Sequence, residues 1–165
     1  MNKSVDGCVT GTPTREGDYP ILIRQMREDD IPTVARLCGQ WGYPASLEQV
    51  LPRFLQLAAD PNRCLYVAQA DDGQVVGWVD VHAYHTLAAD STAEIGGIVV
   101  DQSCRRQGVG RALMAQAEAW AQSRGYSSVR LRSNAARSEA HQFYPGLGYQ
   151  LVKTQHVYAK KLTQY

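Results

Sequence analysis

The sequence predicts an α/β (α+β) fold, a mixed, mostly antiparallel sheet of six to seven strands with helices on both faces. Three observations carry that expectation. Apolar runs near residues 65–70, 75–81 and 93–100 read as neighbouring strands. Helical patterns interleave with the strands in the order β-α-α-β-β-β-α-β-α-β-β. The third is the turn RRQGVG at residues 105–110, set between the apolar run IGGIVV and the helical pattern RALMAQAEAW. A strand ends there, a short basic and glycine-rich turn follows, and a helix opens.

The elements follow in order. Residues 21–26, ILIRQM, form a first strand. Glu28, Asp29 and Asp30 supply helix-start chemistry, with Pro32 tolerated in the first turn. Ile31, Val34, Ala35, Leu37 and Cys38 make that helix's apolar stripe. Ser46 and Gln49 form a capping box for a second helix, in which Pro52 sits early enough to bend rather than abolish it. The Asp72-Gly73 dipeptide joins the next two strands as a hairpin. The strand at 93–100 leads into the turn. Val109, Leu113, Ala117 and Trp120 face one side of a helix over 108–124, which Gly125 caps. A strand at 129–133, a short helix at 138–144, and two late strands at 149–152 and 156–162 close the sheet.

Composition bounds what such a chain does. At 165 residues, 44% hydrophobic and 20% charged, it reads as one soluble domain over 21–165 behind a mobile leader at 1–20. A net charge of +1 offers no global field for nucleic acid, so no nucleic-acid partner is expected. No apolar run approaches the roughly 20 residues of a membrane span, and residues 1–20 carry no signal-peptide core. Four scattered cysteines without a C-x-x-C pair argue for a reducing cytoplasm and against a metal site.

The turn at 105–110 has a specific chemistry. The first turn of a helix presents N–H groups without intrahelical partners, and the peptide dipoles add positive potential. Glycine lets a phosphate come close to the backbone. The pattern R-x-x-G-x-G lacks the Lys-Ser/Thr of a P-loop and differs from the dinucleotide G-x-G-x-x-G, so the expected guest is a pyrophosphate on another cofactor.

These features resemble the Gcn5-related N-acetyltransferase (GNAT) superfamily. The strand AEIGGIVVD with the turn RRQGVG is similar to that family's acetyl-CoA motif, [QR]-x-x-G-x-[GA]. The segment SNAARSEAHQFYPGLGYQ is similar to its downstream motif, and IRQMREDD to the opening of many members. The resemblance spans roughly residues 21–162. It implies a GNAT-like fold, acetyl-CoA as co-substrate without a metal, an amine acceptor, and a homodimer.

It also implies site residues. The backbone of Arg105, Arg106, Gln107, Gly108, Val109, Gly110 and Arg111 would hold the CoA pyrophosphate. Ile98, Val99 and Val100 would pair with the pantetheine arm like an added strand, and an N–H of Ile98 or Val99 would polarise the thioester carbonyl. Asn134 would hydrogen-bond the pantetheine, and Tyr144 would protonate the departing thiolate. Pro145 departs from the pattern and disfavours α geometry at Tyr144. Glu94 stands where some members carry a base, whereas many carry the acid two residues later, at Gly96 here. Glu94 is a base if apolar neighbours desolvate it, or else a solvated acid with the work done through water by His82, Tyr84 or His85.

Other residues carry two readings each. Gly96-Gly97 marks a bulge, the favoured reading, or tight packing over the strand. Tyr43 contacts the acceptor or plugs the top of the core, to which Trp41 belongs, and His82 and Tyr84 contact the acceptor or are ordinary surface or strand-end groups. The function expected is direct acetyl transfer from acetyl-CoA to a primary amine on a small molecule, without an acyl-enzyme. A peptide amine, a non-catalytic acetyl-CoA sensor and a nucleotide-binding domain are the rivals.

Overall fold

A computed structural model describes residues 20–162. Apart from Pro20, the expected leader lies outside the described residues. The chain divides into two compact units, one ending at Arg132 and the other beginning at Ser133.

The first unit holds a five-stranded sheet in the order β1-β2-β3-β4-β5: β1 (Ile21–Gln25), β2 (Arg63–Ala70), β3 (Val75–Tyr84), β4 (Thr92–Val100) and β5 (Val129–Leu131). Neighbours pair antiparallel except β4 and β5, which run parallel. The mixed, mostly antiparallel character is as expected. Gly73 takes φ +86° in the β2–β3 turn, the left-handed conformation that the Asp-Gly signal anticipates.

Between β1 and β2 lie α1 (Ile31–Gln40) and α2 (Leu47–Ala58). The Ser46 N–H donates to Gln49 Oε1 at 3.0 Å, one arm of the expected capping box, and α2 runs unbroken through Pro52. Ile31, Val34 and Leu37 of α1 and Val50 and Phe54 of α2 pack with Leu65, Val67, Trp78 and Val99 in one core. The opposite face meets α3 (Val109–Ser123), whose Val109 and Leu113 approach Gly77 of β3. A side chain at Gly77 would strike the Val99 carbonyl at 2.8 Å, so glycine lets β3, β4 and α3 close up together.

The second unit contains α4 (Ser138–Phe143) and a 3₁₀ turn (Pro145–Leu147). The late strands expected at 149–152 and 156–162 do not form, which leaves five strands among the described residues rather than six to seven. Leu151, Val152, Val157, Tyr158 and Leu162 are 83–90% exposed. Apolar residues suit a strand, but a strand also needs a neighbour for its backbone groups, and this segment has none in the ladder.

Candidate active site

The centre of the first unit is a break in β4. Asp80 pairs with Gly97 and Val81 with Ile95, so Gly96 is an extra residue without a partner on β3. The two glycines divide the two readings between them. Gly96 is the bulge. Gly97 is the packing position, where a Cβ would lie 2.9 Å from Trp41 and 3.0 Å from Trp78.

Pairing with β5 stops at the same place. Glu94 aligns with Arg130 and Ile95 with Leu131, and no later β4 residue has a β5 neighbour. From Gly96 to Val100, one edge of β4 therefore has no strand neighbour among the described residues. Which amides face that edge follows from the two-residue period. The Asp101 N–H donates to the Val76 carbonyl of β3 at 2.8 Å, and the Val99 carbonyl also points at β3. Ile98 and Val100 consequently turn their N–H and C=O groups outward. Arg105 Nε donates to the Val100 carbonyl from that side at 3.4 Å. Of the two amides expected to polarise a carbonyl, Val99 is thus committed to β3, and Ile98 faces the other edge.

Beyond β4, the chain makes a 3₁₀ turn (Gln102–Cys104) and enters α3 through Gly108. Arg106 (φ +65°) and Gly108 (φ +83°) are both left-handed. A non-glycine residue there costs about 1–2 kcal/mol, and alternating left-handed residues turn successive N–H groups toward a common point. The first backbone bond of α3 is Ala112 N–H to the Gly108 carbonyl at 3.0 Å. The N–H groups of Val109, Gly110 and Arg111 precede it, and no side chain caps them. Gln107 Nε2 ties the turn to the Ser103 carbonyl at 3.1 Å. Cys104 is buried beside it.

On the face shared with α1 and α2, the outer ends of the strands carry charge instead of core. Register aligns Arg63 with His82, and His82 with Glu94, which aligns with Arg130. Asp80 accepts from Arg63 Nη1 at 2.7 and 2.5 Å, and His82 Nδ1 lies 3.8 Å from it. Glu94 is 1% exposed, with Arg132 Nη2 at 2.7 Å on Oε1 and Arg130 Nε at 2.9 Å from Oε2. The Arg130 guanidinium also lies 4.2 Å from the centre of the Tyr84 ring. Neither reading of Glu94 holds as stated: the carboxyl is buried rather than solvated, and two guanidinium groups rather than apolar side chains lie against it. The position expected to hold an acid in many relatives is filled from next door, since a Cβ on Gly96 would lie 2.4 Å from Asp80 Oδ2 and 3.3 Å from His82 Cε1.

Asp80, Arg63, Arg130 and Arg132 were not singled out by sequence reasoning. The signal was present in the alternation of DVH at 80–82 and RLR at 130–132, which places like-facing polar groups two residues apart. Their pairing across strands required the register. His85 bonds Ser91 Oγ at 2.7 Å instead.

Tyr43 is 59% exposed with its ring 4.8 Å from Trp41, and Trp41 packs edge-on to Trp78 at 5.6 Å. In the second unit, Asn134 Oδ1 accepts from the Ala136 N–H at 2.9 Å. Tyr144 stacks edge-on with Phe143 and Tyr149. Burial raises its phenol pKa, only partly offset by Arg137, so the group holds its proton at neutral pH. Its backbone is helical (φ −67°, ψ −44°), against the expected effect of Pro145. The proline is accommodated at the first position of the new 3₁₀ turn. Among the described residues, no group of three or more His, Cys, Asp or Glu side chains could hold a metal ion, and no helix is long and apolar enough to cross a membrane.

Comparison with known proteins follows the same lines. An aminoglycoside N(6')-acetyltransferase type 1 of Stenotrophomonas maltophilia is 28% identical over 133 residues, 78% of this chain and 85% of the relative. N-acetylaspartate synthetase of Rattus norvegicus is 35% identical over 89 residues, 54% of this chain, and the match spans 28% of that relative's length. An aminoglycoside N-acetyltransferase solved in complex with CoA shares the fold at a TM-score of 0.77 and 19% identity, covering 91% of this chain and 100% of the other. The sequence pattern of the Acetyltransferase (GNAT) family matches residues 26–149, and the chain belongs to that family.

Proposed function

We propose that this chain transfers an acetyl group from acetyl-CoA to a primary amine of a small molecule, directly and within a ternary complex. One observation carries the reading: the β4 edge at Ile98 and Val100, without a strand neighbour among the described residues, leads into the uncapped N-terminus of α3. An extended amide-bearing arm that ends in a pyrophosphate fits that sequence of groups. The arm adds to the strand edge as a peptide would, and the diphosphate meets the amides from Arg106 to Arg111. That a relative in fold was solved with CoA supports it.

In this reading the Ile98 N–H donates to the thioester carbonyl and stabilises the oxyanion that develops on attack. His82, whose ring stands over Gly96, accepts the proton of the attacking amine, with the Asp80 carboxylate 3.8 Å from its Nδ1. Glu94 holds the two arginines. Asn134 donates to the pantetheine and Tyr144 returns a proton to the thiolate, roles that the family resemblance assigns.

Calorimetric titration with CoA, NAD and ATP tests the cofactor. CoA is expected to bind, and the two nucleotides to bind at least tenfold more weakly. Equal affinity for all three would replace this reading with a nucleotide-binding one. Tyr144→Phe separates an enzyme from a sensor: the transfer rate is expected to fall while CoA affinity holds, and an unchanged rate would assign the acid role elsewhere.

A further inference from the structure

Among the described residues, four buried side-chain polar atoms have no hydrogen-bond partner, Arg63 Nε, Trp78 Nε1, His82 Nδ1 and Thr92 Oγ1, and a fifth, Glu94 Oε2, is held by an ion pair to Arg130 Nε at 2.9 Å without a well-aligned hydrogen bond. Strand register puts all five on the one face of β2, β3 and β4 that also carries Asp80 and Tyr84. Buried polar groups are ordinarily satisfied, and a cluster of exceptions on one face marks a place where a polar ligand completes the set. Glu94 is itself almost wholly buried with Oε2 in that cluster.

The charges on the face state what kind of ligand. On the strands, Arg63 meets Asp80, with Asp60 of the preceding turn also 3.9 Å from its Nε, whereas Arg130 and Arg132 share the single carboxylate of Glu94. Both carboxylates are already matched, so a polycationic acceptor finds no free anion here. The surplus is cationic and lies on β5. Arg132 gives Nη2 to Glu94 while its side chain remains 68% exposed, and Arg130 is 33% exposed. Leu131 is the last β5 residue paired with β4, so Arg132 follows at the level of the Gly96 bulge, over which the His82 ring also stands. A planar guanidinium with free donors, fixed from behind by a buried carboxylate, is built to take a carboxylate in front.

We infer that the acceptor is an amine that also bears a carboxylate, an amino acid or a close analogue, with Arg132 and Arg130 gripping the carboxylate while the amine lies by His82. The inference rests on the acetyltransfer reading above. Because Glu94 serves the arginines, its loss would weaken acceptor binding.

The test is a panel of amines with acetyl-CoA, following CoA release: amino acids, the same amino acids as amides, polyamines and aminoglycosides. Amino acids are expected to give the highest kcat/KM, at least tenfold above their amides. In Arg132→Ala that acid-over-amide preference is expected to fall about tenfold or more, mainly through KM, and Arg132→Lys is expected to recover part of it. Calorimetry with amino acids on the protein loaded with CoA, which has no acetyl group to transfer, provides a second readout independent of turnover. Aminoglycosides or polyamines as the better acceptors, an unchanged preference in Arg132→Ala, or acetyl-CoA binding without any amino-acid binding or turnover would each overturn the inference and leave the acetyl-CoA reading standing. Failure of acetyl-CoA to bind would instead remove that reading and this one with it.

Discussion

His82 and Glu94 are opposite one another across β3 and β4, and their surroundings give them different work. Glu94 is the more buried, but it is spoken for by two guanidinium groups. His82 has Asp80 3.8 Å from its Nδ1 and stands over the bulge. Replacing His82 by Gln is therefore expected to lower kcat by about 10²-fold or more with little change in acetyl-CoA affinity, the usual size of a lost general base. A pre-steady-state assay that found the transfer step unaffected would transfer the role elsewhere. Replacing Glu94 by Gln is expected to cost stability, by about 1–3 kcal/mol, because it strands two partly buried cations. Denaturant titration checks it. Gly97 lies at the other extreme of chemistry. An added methyl there meets the ring carbons of Trp41 and Trp78 at 2.9 and 3.0 Å, which links the strand to α1. Gly97→Ala is expected to cost about 1–3 kcal/mol as overpacking, visible as a lower urea midpoint at unchanged slope.

At the scale of elements, the turn between β4 and α3 and the edge of β4 do the binding in the proposed reading. Gly108 has φ +83° at the N-cap of α3. Gly108→Val pays for a left-handed β-branched residue and also brings a side chain to the mouth of the amide cluster. CoA affinity is expected to drop at least tenfold while circular dichroism reports a folded protein. Retained affinity would detach the pyrophosphate from this turn. The turn was legible in the sequence because its chemistry is local: RRQGVG, the apolar run before it and the helical period after it lie within about twenty residues of one another. The Asp72-Gly73 hairpin and the Ser46–Gln49 box were legible for the same reason. The outward orientation of Ile98 and the commitment of Val99 to β3 were not, because a two-residue period gives two faces and only the register with β3 says which is which. The segment at 149–162 failed for a different reason. Its apolar residues are strand-like one at a time, and strand formation depends on a partner elsewhere in the chain.

Across the first unit, two buried aspartates tie the layers together and set how it responds to acid. Asp30 sits at the start of α1 and accepts both terminal nitrogens of Arg24 from β1, each at 2.8 Å, together with the Arg27 N–H at 2.7 Å. Asp101, just after β4, accepts Arg36 Nη1 of α1 at 2.7 Å and the N–H and hydroxyl of Ser103 at 3.0 and 2.8 Å. Burial alone would raise both pKa values. The bonds from Arg24 and Arg27 outweigh it and lower that of Asp30, and those from Arg36 and Ser103 bring Asp101 down to about 2. An unfolded aspartate titrates near 3.9. A carboxyl with the lower value when folded stabilises the fold fully above the unfolded value, and that contribution is lost as pH falls through the interval toward the folded one. Both residues therefore act in the same direction, and the Asp101 share disappears between about pH 4 and pH 2. Thermal unfolding followed from pH 7 to pH 2 is expected to show a midpoint that is level down to about pH 5 and then falls. Asp101→Asn is expected to start lower at pH 7 and to fall less steeply below pH 4, because the substituted side chain has no proton to take up. Its loss at neutral pH also frees α1 from the end of β4, so the same variant is expected to weaken CoA binding through the turn that Asp101 anchors. An acid limb as steep in the variant as in the parent would mean that other carboxyls hold the layers together.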